Sequence, residues 1–244
     1  MHDALHSPGR FNTVYVYERE QRWPWGHRNV VFAQRGGPII YIKKNLYLNS
    51  PWQKTYPARK EEGEILPYEL WDLLKKYGKP VALISHTGAT SMGTDWKKYE
   101  KFDYSSENIV EIYQGARVSY EGAGAPQPTV GLLPKTSLNS LGRVQNSPPG
   151  PIENFGQYAN GTYQTALSQG HNLGVFASSD HISQHASYGG VFCKDFTREG
   201  IIEAMDNRRT IAATDKIYLN FTCNDKPLGS IFETKENAKL WFKV

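Results

Sequence analysis

Apolar and polar positions along the chain follow two periods, one helical and one alternating, and Gly and Pro mark where one gives way to the other. The stretch Pro67 to Tyr77 (PYELWDLLKKY) has helical spacing and stops at Gly78, and Lys79-Pro80 then leads into the apolar run Val81 to Ile84. That order predicts a helix followed by a buried strand. It recurs where Tyr163 to Ser168 ends at Gly170 and Leu173-Gly174-Val175-Phe176-Ala177 follows. It begins again with a helix from Thr197 to Arg208, capped by Thr197 and carrying Glu199 in its first turn. Short β-rich runs at Thr13–Tyr17, Val30–Phe32 and Ile109–Tyr113 add further strands. Helix–strand alternation of this kind predicts an α/β chain on a parallel sheet, open or closed into a barrel.

Two stretches break the pattern. Between Gly115 and Gly161, Gly, Pro, Ser and Asn crowd out any regular period. A loop of that length is either a lid or binding loop, or an insertion without a role. After Arg209, the runs Ile217 to Thr222, Leu228 to Phe232 and Leu240 to Val244 read as antiparallel strands joined by Asn224-Asp225-Lys226-Pro227 and Lys235-Glu236-Asn237. The expectation is a body over residues 1–212 and a small β extension over 213–244 that continues past the last residue.

In parallel α/β folds, chemistry collects at the C-terminal ends of strands. The polar groups at such places are Glu18 after Val14-Tyr15-Val16-Tyr17, His86 after Val81 to Ser85, Glu111 within Ile109 to Tyr113, and Asp180-His181 after Val175 to Ser179. His27 stands just before the strand beginning at Val30. A lone histidine after a strand is more often solvated or satisfied in a core than a metal ligand. Five polar positions at strand ends are harder to dismiss than one, and a rigid sheet fixes the angles of metal ligands better than a loop does. His2 and His6, in an unpatterned start, read as incidental, and Trp23-Pro24-Trp25 reads as a packed loop. The segment Thr87 to Gly93 offers backbone N–H groups but matches no phosphate-loop pattern.

Composition narrows the chemistry by exclusion. The 244 residues are 39% hydrophobic and 21% charged, which is enough for a sizeable core, and no apolar run is long enough to span a membrane. Lys and Arg (28) exceed Asp and Glu (24) by four charges, spread without a basic block. A pI near 8.9 therefore suits a small anionic substrate and argues little for nucleic acid. With only Cys193 and Cys223, neither a disulfide scaffold nor a cysteine zinc site is available, so a metal has to be held by His and carboxylate. No export signal is readable at the start of the chain, and the compartment stays open.

The segments Gly9-Arg10-Phe11, Val16-Tyr17-Glu18, Gly26-His27-Arg28-Asn29-Val30, Ile84-Ser85-His86-Thr87-Gly88, Val110-Glu111-Ile112-Tyr113, Ser178-Ser179-Asp180-His181 and Arg208 to Thr214 occur in one order. Together they resemble a bacterial branch of the PHP (polymerase and histidinol phosphatase) superfamily. The resemblance implies a distorted (β/α)7 barrel with two or three metal ions at its strand ends, and hydrolysis of phosphoesters. By motif, Glu18 resembles the metal-bridging carboxylate, His27 and His86 the mid-chain imidazole ligands, and Asp180 the aspartate of the closing motif. Glu111 matches a further family position. The family opens with a His-x-His pair that this chain lacks before Gly9, so the first strand or strands of the barrel are expected to be missing. Its closing motif is usually Asp-x-His, whereas Ile182 stands at the third position, leaving His181, or His185 from the loop, as the partner of Asp180.

The expected activity is that of a metal-dependent hydrolase acting on a small phosphorylated substrate. Metal ligands would be Glu18, His27, His86, Asp180 and His181, with Asp180, His181 and Glu111 as catalytic candidates. Arg28 and Arg143 would grip the anionic group. A divalent cation (Zn, Mn or Fe) in such a site activates water as hydroxide, so no protein nucleophile is required. Two other readings stay open: an impaired barrel serving as a binding or interaction module, and a hydrolase of C–N or C–O bonds.

Overall fold

The computed structural model describes residues 2–21, 23–39, 67–86, 88–89, 92–99, 107–114, 117–118, 137–138, 144–145, 158–179 and 187–244. Its centre is a mixed sheet of β1 (Tyr15–Arg19), β2 (His27–Phe32), β3 (Val81–His86) and β4 (Ile109–Gln114) in that order. On the far side of β4 lies β8 (Gly174–Ser178), and the two-residue β5 (Arg117–Val118) is paired to the end of β4. The first two junctions, β1–β2 and β2–β3, are antiparallel, whereas β3–β4 and β4–β8 are parallel. Two further two-residue strands, β6 (Ser137–Leu138) and β7 (Val144–Gln145), pair with each other.

This arrangement corrects the expected (β/α)7 barrel. A barrel of that kind needs parallel strands around a closed circle, whereas among the described residues β1 and β8 are the two ends of an open sheet. The reason lies partly in the β1–β2 connection, residues 20–26, which is too short for the crossover of a dozen or more residues that parallel neighbours require. The region therefore folds back as an antiparallel pair, with Tyr15 opposite Phe32 and Arg19 opposite Arg28.

Strand alternation gives the sheet two differently filled faces. Onto one face packs helix α1 (Pro67–Tyr77), whose Leu70, Trp71 and Leu74 are buried against Val30, Phe32 and Leu83. Full burial of side chains of this size contributes roughly 1.5–3 kcal/mol each. The helix closes at Gly78, where φ is +65° and the backbone N–H donates to the Leu74 carbonyl at 3.4 Å. Helix α2 (Tyr163–Ser168) buries Ala166 beside Trp96, Val110 and Leu173, and its Thr162 cap accepts from the Thr165 N–H. The opposite face is covered by α3 (Arg198–Asp206), where Ile202 and Met205 pack on Val31, Ala82, Ile84 and Ile109. Thr197 caps α3 by accepting from the Gly200 N–H at 3.0 Å.

Beyond α3, β10 (Thr210–Ala213) pairs antiparallel with β9 (Tyr188–Val191). The last residues form a small sheet of β11 (Thr222–Cys223), β12 (Lys226–Pro227) and β13 (Phe242–Lys243). Asn224 and Asp225, at φ 49° and 58°, make the two-residue turn between β11 and β12. The strands are shorter than the apolar runs predict, and Leu228 to Phe232 does not form one. Pro227 has no N–H to extend the ladder, and Gly229 turns the chain at φ +84° against Asn207, whose carbonyl oxygen would lie 2.1 Å from an added Cβ.

On the α1 face, Arg28 is fully buried. Its Nε donates to Glu107 Oε2 at 2.8 Å, and its Nη1 donates to the carbonyls of Trp25 and of Gly26, the latter at 3.0 Å. The indole of Trp71 donates to the same Glu107 oxygen at 3.1 Å, which ties α1 to the start of β2. Removing one partner of such a pair strands a charge in the interior. Arg28→Met is expected to lose about 3–5 kcal/mol of stability, read as a lower denaturant midpoint, while Arg28→Met combined with Glu107→Leu recovers much of it. A single variant as stable as the parent would show that the pair does not anchor the fold.

Candidate metal centre

The register of β2 on β3 places His27, the first residue of its strand, directly opposite His86, the last residue of its own. On β1, Glu18 faces Asn29, two residues along from His27, and so shares its face of the sheet. Because β2 runs against β1 and β3, its N-terminal end meets their C-terminal ends at one edge. Three donor residues from three neighbouring strands thus converge without any long loop.

The distances show how closely they meet. Glu18 Oε1 lies 2.9 Å from His27 Nδ1 and 3.2 Å from His86 Nε2. The two imidazole centroids are 5.8 Å apart. One ligand atom from each of Glu18, His27 and His86 can be chosen so that all three lie within 4.8 Å of one another. Both imidazoles are buried, while the Glu18 side chain keeps 33% of its surface exposed, which leaves the cluster open on one side. Imidazole and carboxylate together suit Zn, Mn or Fe, and three protein donors leave coordination positions for water or substrate.

Behind His86 stands Glu111 on β4; the parallel register pairs Ser85 with Val110, and His86 and Glu111 are the next residues of their strands. Glu111 Oε2 is hydrogen-bonded to His86 Nδ1, and Glu111 Oε1 accepts from the Ser178 hydroxyl on β8. A polar row therefore crosses five strands, from Glu18 through His27, His86 and Glu111 to Ser178. Without a cation, protons hold this row together. Hydrogen bonds from His27 and then His86 keep the Glu18 carboxyl well below the ordinary carboxylate range. Burial opposes a charge on His86, but the Glu111 and Glu18 carboxylates outweigh it and raise its pKa to about 10.

Of the residues expected from the sequence, the structure gathers Glu18, His27, His86 and Glu111. Glu111 meets the cluster through the far nitrogen of His86 and not from the side of Glu18, so it backs His86 and does not face the open side. Arg28, expected to bind substrate, is corrected: as the neighbour of His27 in an extended strand it points to the opposite face, into its pair with Glu107. Asp180, His181, His185 and Arg143 lie outside the described residues. Ser178 was not singled out from the sequence. Its signal is alternation, since it lies two residues beyond Phe176, the register partner of Glu111. Trp23 packs edge-on to Tyr158 at 5.1 Å, and Trp25 lies against the α1 core.

Comparison with known proteins finds an uncharacterised protein of Chlamydia muridarum that is 26% identical over 196 residues, covering 79% of this chain and 29% of that protein. An uncharacterised protein of Chlamydia trachomatis serovar D is 27% identical over 180 residues, covering 72% of this chain and 28% of that protein. The chain thus spans less than a third of the length of these relatives. No protein-family model and no solved structure matches it. Among the described residues, no helix is long and apolar enough to cross a membrane.

The protonated cluster has a pH signature in the metal-free chain. His86 is raised above its ordinary value of 6.5, so its ion pairs stabilise the fold fully below about pH 6.5, and this contribution fades as pH rises toward about 10. Glu18, held low, contributes above the ordinary carboxylate pKa and loses its contribution as pH falls. Thermal melts of chelator-treated protein are expected to show the melting temperature falling from neutral to alkaline pH, with a flatter slope for His86→Gln. Equal slopes would show that His86 carries no such charge.

Proposed function

We propose that this chain carries a divalent-metal site on Glu18, His27 and His86 and uses it as a metal-dependent hydrolase, with phosphoesters as the first substrate class. The observation that carries the reading is the convergence of three ligand atoms of suitable chemistry within 4.8 Å, with two of the donors buried and the third half-open to solvent. Surface acidic clusters do not recruit two buried imidazoles from opposed strands.

Each residue has a definable part. His27 and His86 supply neutral nitrogen donors, held by the β2–β3 register, and Glu18 supplies the anionic donor between them. A bound cation supplies Lewis acidity toward a substrate oxygen and lowers the pKa of water. Glu18, as the exposed member, borders the side from which substrate enters. The buried imidazoles keep water from the rear of the site. The choice of phosphoesters rests on the motif resemblance and on the chain's excess of basic residues, which favours an anionic substrate.

The test is elemental analysis of protein purified without a metal-affinity tag, followed by a screen of aryl phosphomonoesters and phosphodiesters with Zn, Mn and Fe(II). The wild-type chain is expected to hold metal and to hydrolyse at least one ester class. Glu18→Gln and His86→Ala should stay folded, lose the metal, and lose activity by at least about 100-fold, the upper end of what removing a mere supporting partner costs. A folded wild-type chain that takes up none of the three metals would overturn the proposal.

A further inference from the structure

Resting on the metal site just proposed, the geometry points to a role for two residues that would not touch the cation. We propose that Glu111 and Ser178 form a positioning pair behind His86. Glu111 accepts the Nδ1–H of His86 and so turns Nε2 toward the cation. Ser178 donates its hydroxyl to the other oxygen of Glu111 and keeps that carboxylate from rotating into the site.

Four observations converge on this pair. The two nitrogens of His86 are divided between two carboxylates, Nε2 facing Glu18 at 3.2 Å and Nδ1 facing Glu111. Ring nitrogens point away from each other, so a carboxylate on Nδ1 cannot reach a cation held at Nε2. A carboxylate has no proton to give, so Nδ1 must be the donor, which leaves the Nε2 lone pair for a metal when the ring is neutral. Glu111 is only 2% exposed, and both of its oxygens are engaged, one by His86 and one by Ser178. Lastly, the β4–β8 ladder shifts register between Glu111 and Tyr113, a bulge immediately beside the carboxylate that has to reach both partners. Carboxylate partners of this kind fix the orientation of ligating imidazoles and raise their basicity.

The variants are Glu111→Gln, Ser178→Ala and the hydroxyl-retaining Ser178→Thr, all in the full chain. The first readout is zinc affinity by competition with a chromophoric chelator. Glu111→Gln is expected to weaken it by about 10–100-fold, Ser178→Ala by less, and Ser178→Thr to restore it. The second is proton NMR of 15N-histidine-labelled protein, with zinc and without. The His86 Nδ1–H is expected as a slowly exchanging downfield resonance that Glu111→Gln abolishes or shifts and Ser178→Ala shifts. Loss of thermal stability with zinc affinity and the resonance unchanged would show a structural role only and overturn the proposal. If Glu111→Gln does not fold, Ser178→Ala decides by the same two readouts. If wild-type protein binds none of zinc, manganese and iron(II), the metal reading fails by itself. The resonance in metal-free protein then still decides the contact, and its persistence unchanged in Glu111→Gln would refute it.

Discussion

Arg28 lies wholly inside the protein with its charge answered by Glu107, and a guanidinium buried to that degree cannot shift without leaving an unpaired charge behind. Because side chains alternate along an extended strand, fixing Arg28 to the α1 face fixes His27 to the other. A slip of one residue would drive His27 toward Trp71 and turn Arg28 toward Glu18, losing the ion pair and the candidate metal donor in one step. The register that sets His27 against His86 is therefore pinned from behind by an interaction on the opposite face of the sheet. Gly26 allows this approach, since at φ +74° an added Cβ would meet Thr94 Oγ1 at 2.5 Å and the Gly93 backbone at 2.7 Å.

The sheet also separates packing from chemistry along its length. On the face that carries the cluster, the far ends of β2 and β3 are apolar and covered by α3 through Ile202 and Met205. Toward the other edge the same alternating positions pass from Val31 and Ala82 through Asn29 and Ile84 to His27 and His86. The imidazoles thus rest on a packed base and do not hang from a loop. Their rings are held by carboxylates on either side, an arrangement that limits the reorganisation needed on binding.

Part of this could be read from the sequence, and the rest could not, for identifiable reasons. Glu18, His27 and His86 follow or precede apolar runs, and strand-end placement is visible in the alternation of types. Strand direction is not, because the period of two is the same for parallel and antiparallel neighbours. The barrel expected from motif order fails here, and the available counter-signal was the shortness of residues 20–26. His27 is informative in this respect. In an all-parallel sheet, a residue before a strand lies at the wrong edge, and only the reversal of β2 brings it to the ends of β1 and β3. Arg28 was legible by the same alternation, since adjacent strand residues cannot both face one site. The short strands of the extension depend on Pro227 and on the close approach of Gly229 to Asn207, a tertiary contact that local pattern does not carry.

The metal-free cluster is itself an argument about pre-organisation. Glu18 sits between two imidazoles, and His86 between two carboxylates, so each of these two donors is held by partners of opposite tendency. A proton at His86 satisfies this arrangement in the absence of metal, at the cost of being tightly retained. In the proposed metal site, a divalent cation in contact with Glu18, His27 and His86 would replace that proton, and one ligand atom from each of the three already lies within 4.8 Å of the others. Binding would then require proton release more than backbone movement, with the Glu111 carboxylate still engaged on the far side of His86. In a filled site the hydrogen bonds between Glu18 and the two imidazoles would give way to the cation, whereas those between His86 and Glu111 and between Ser178 and Glu111 would stay as supports.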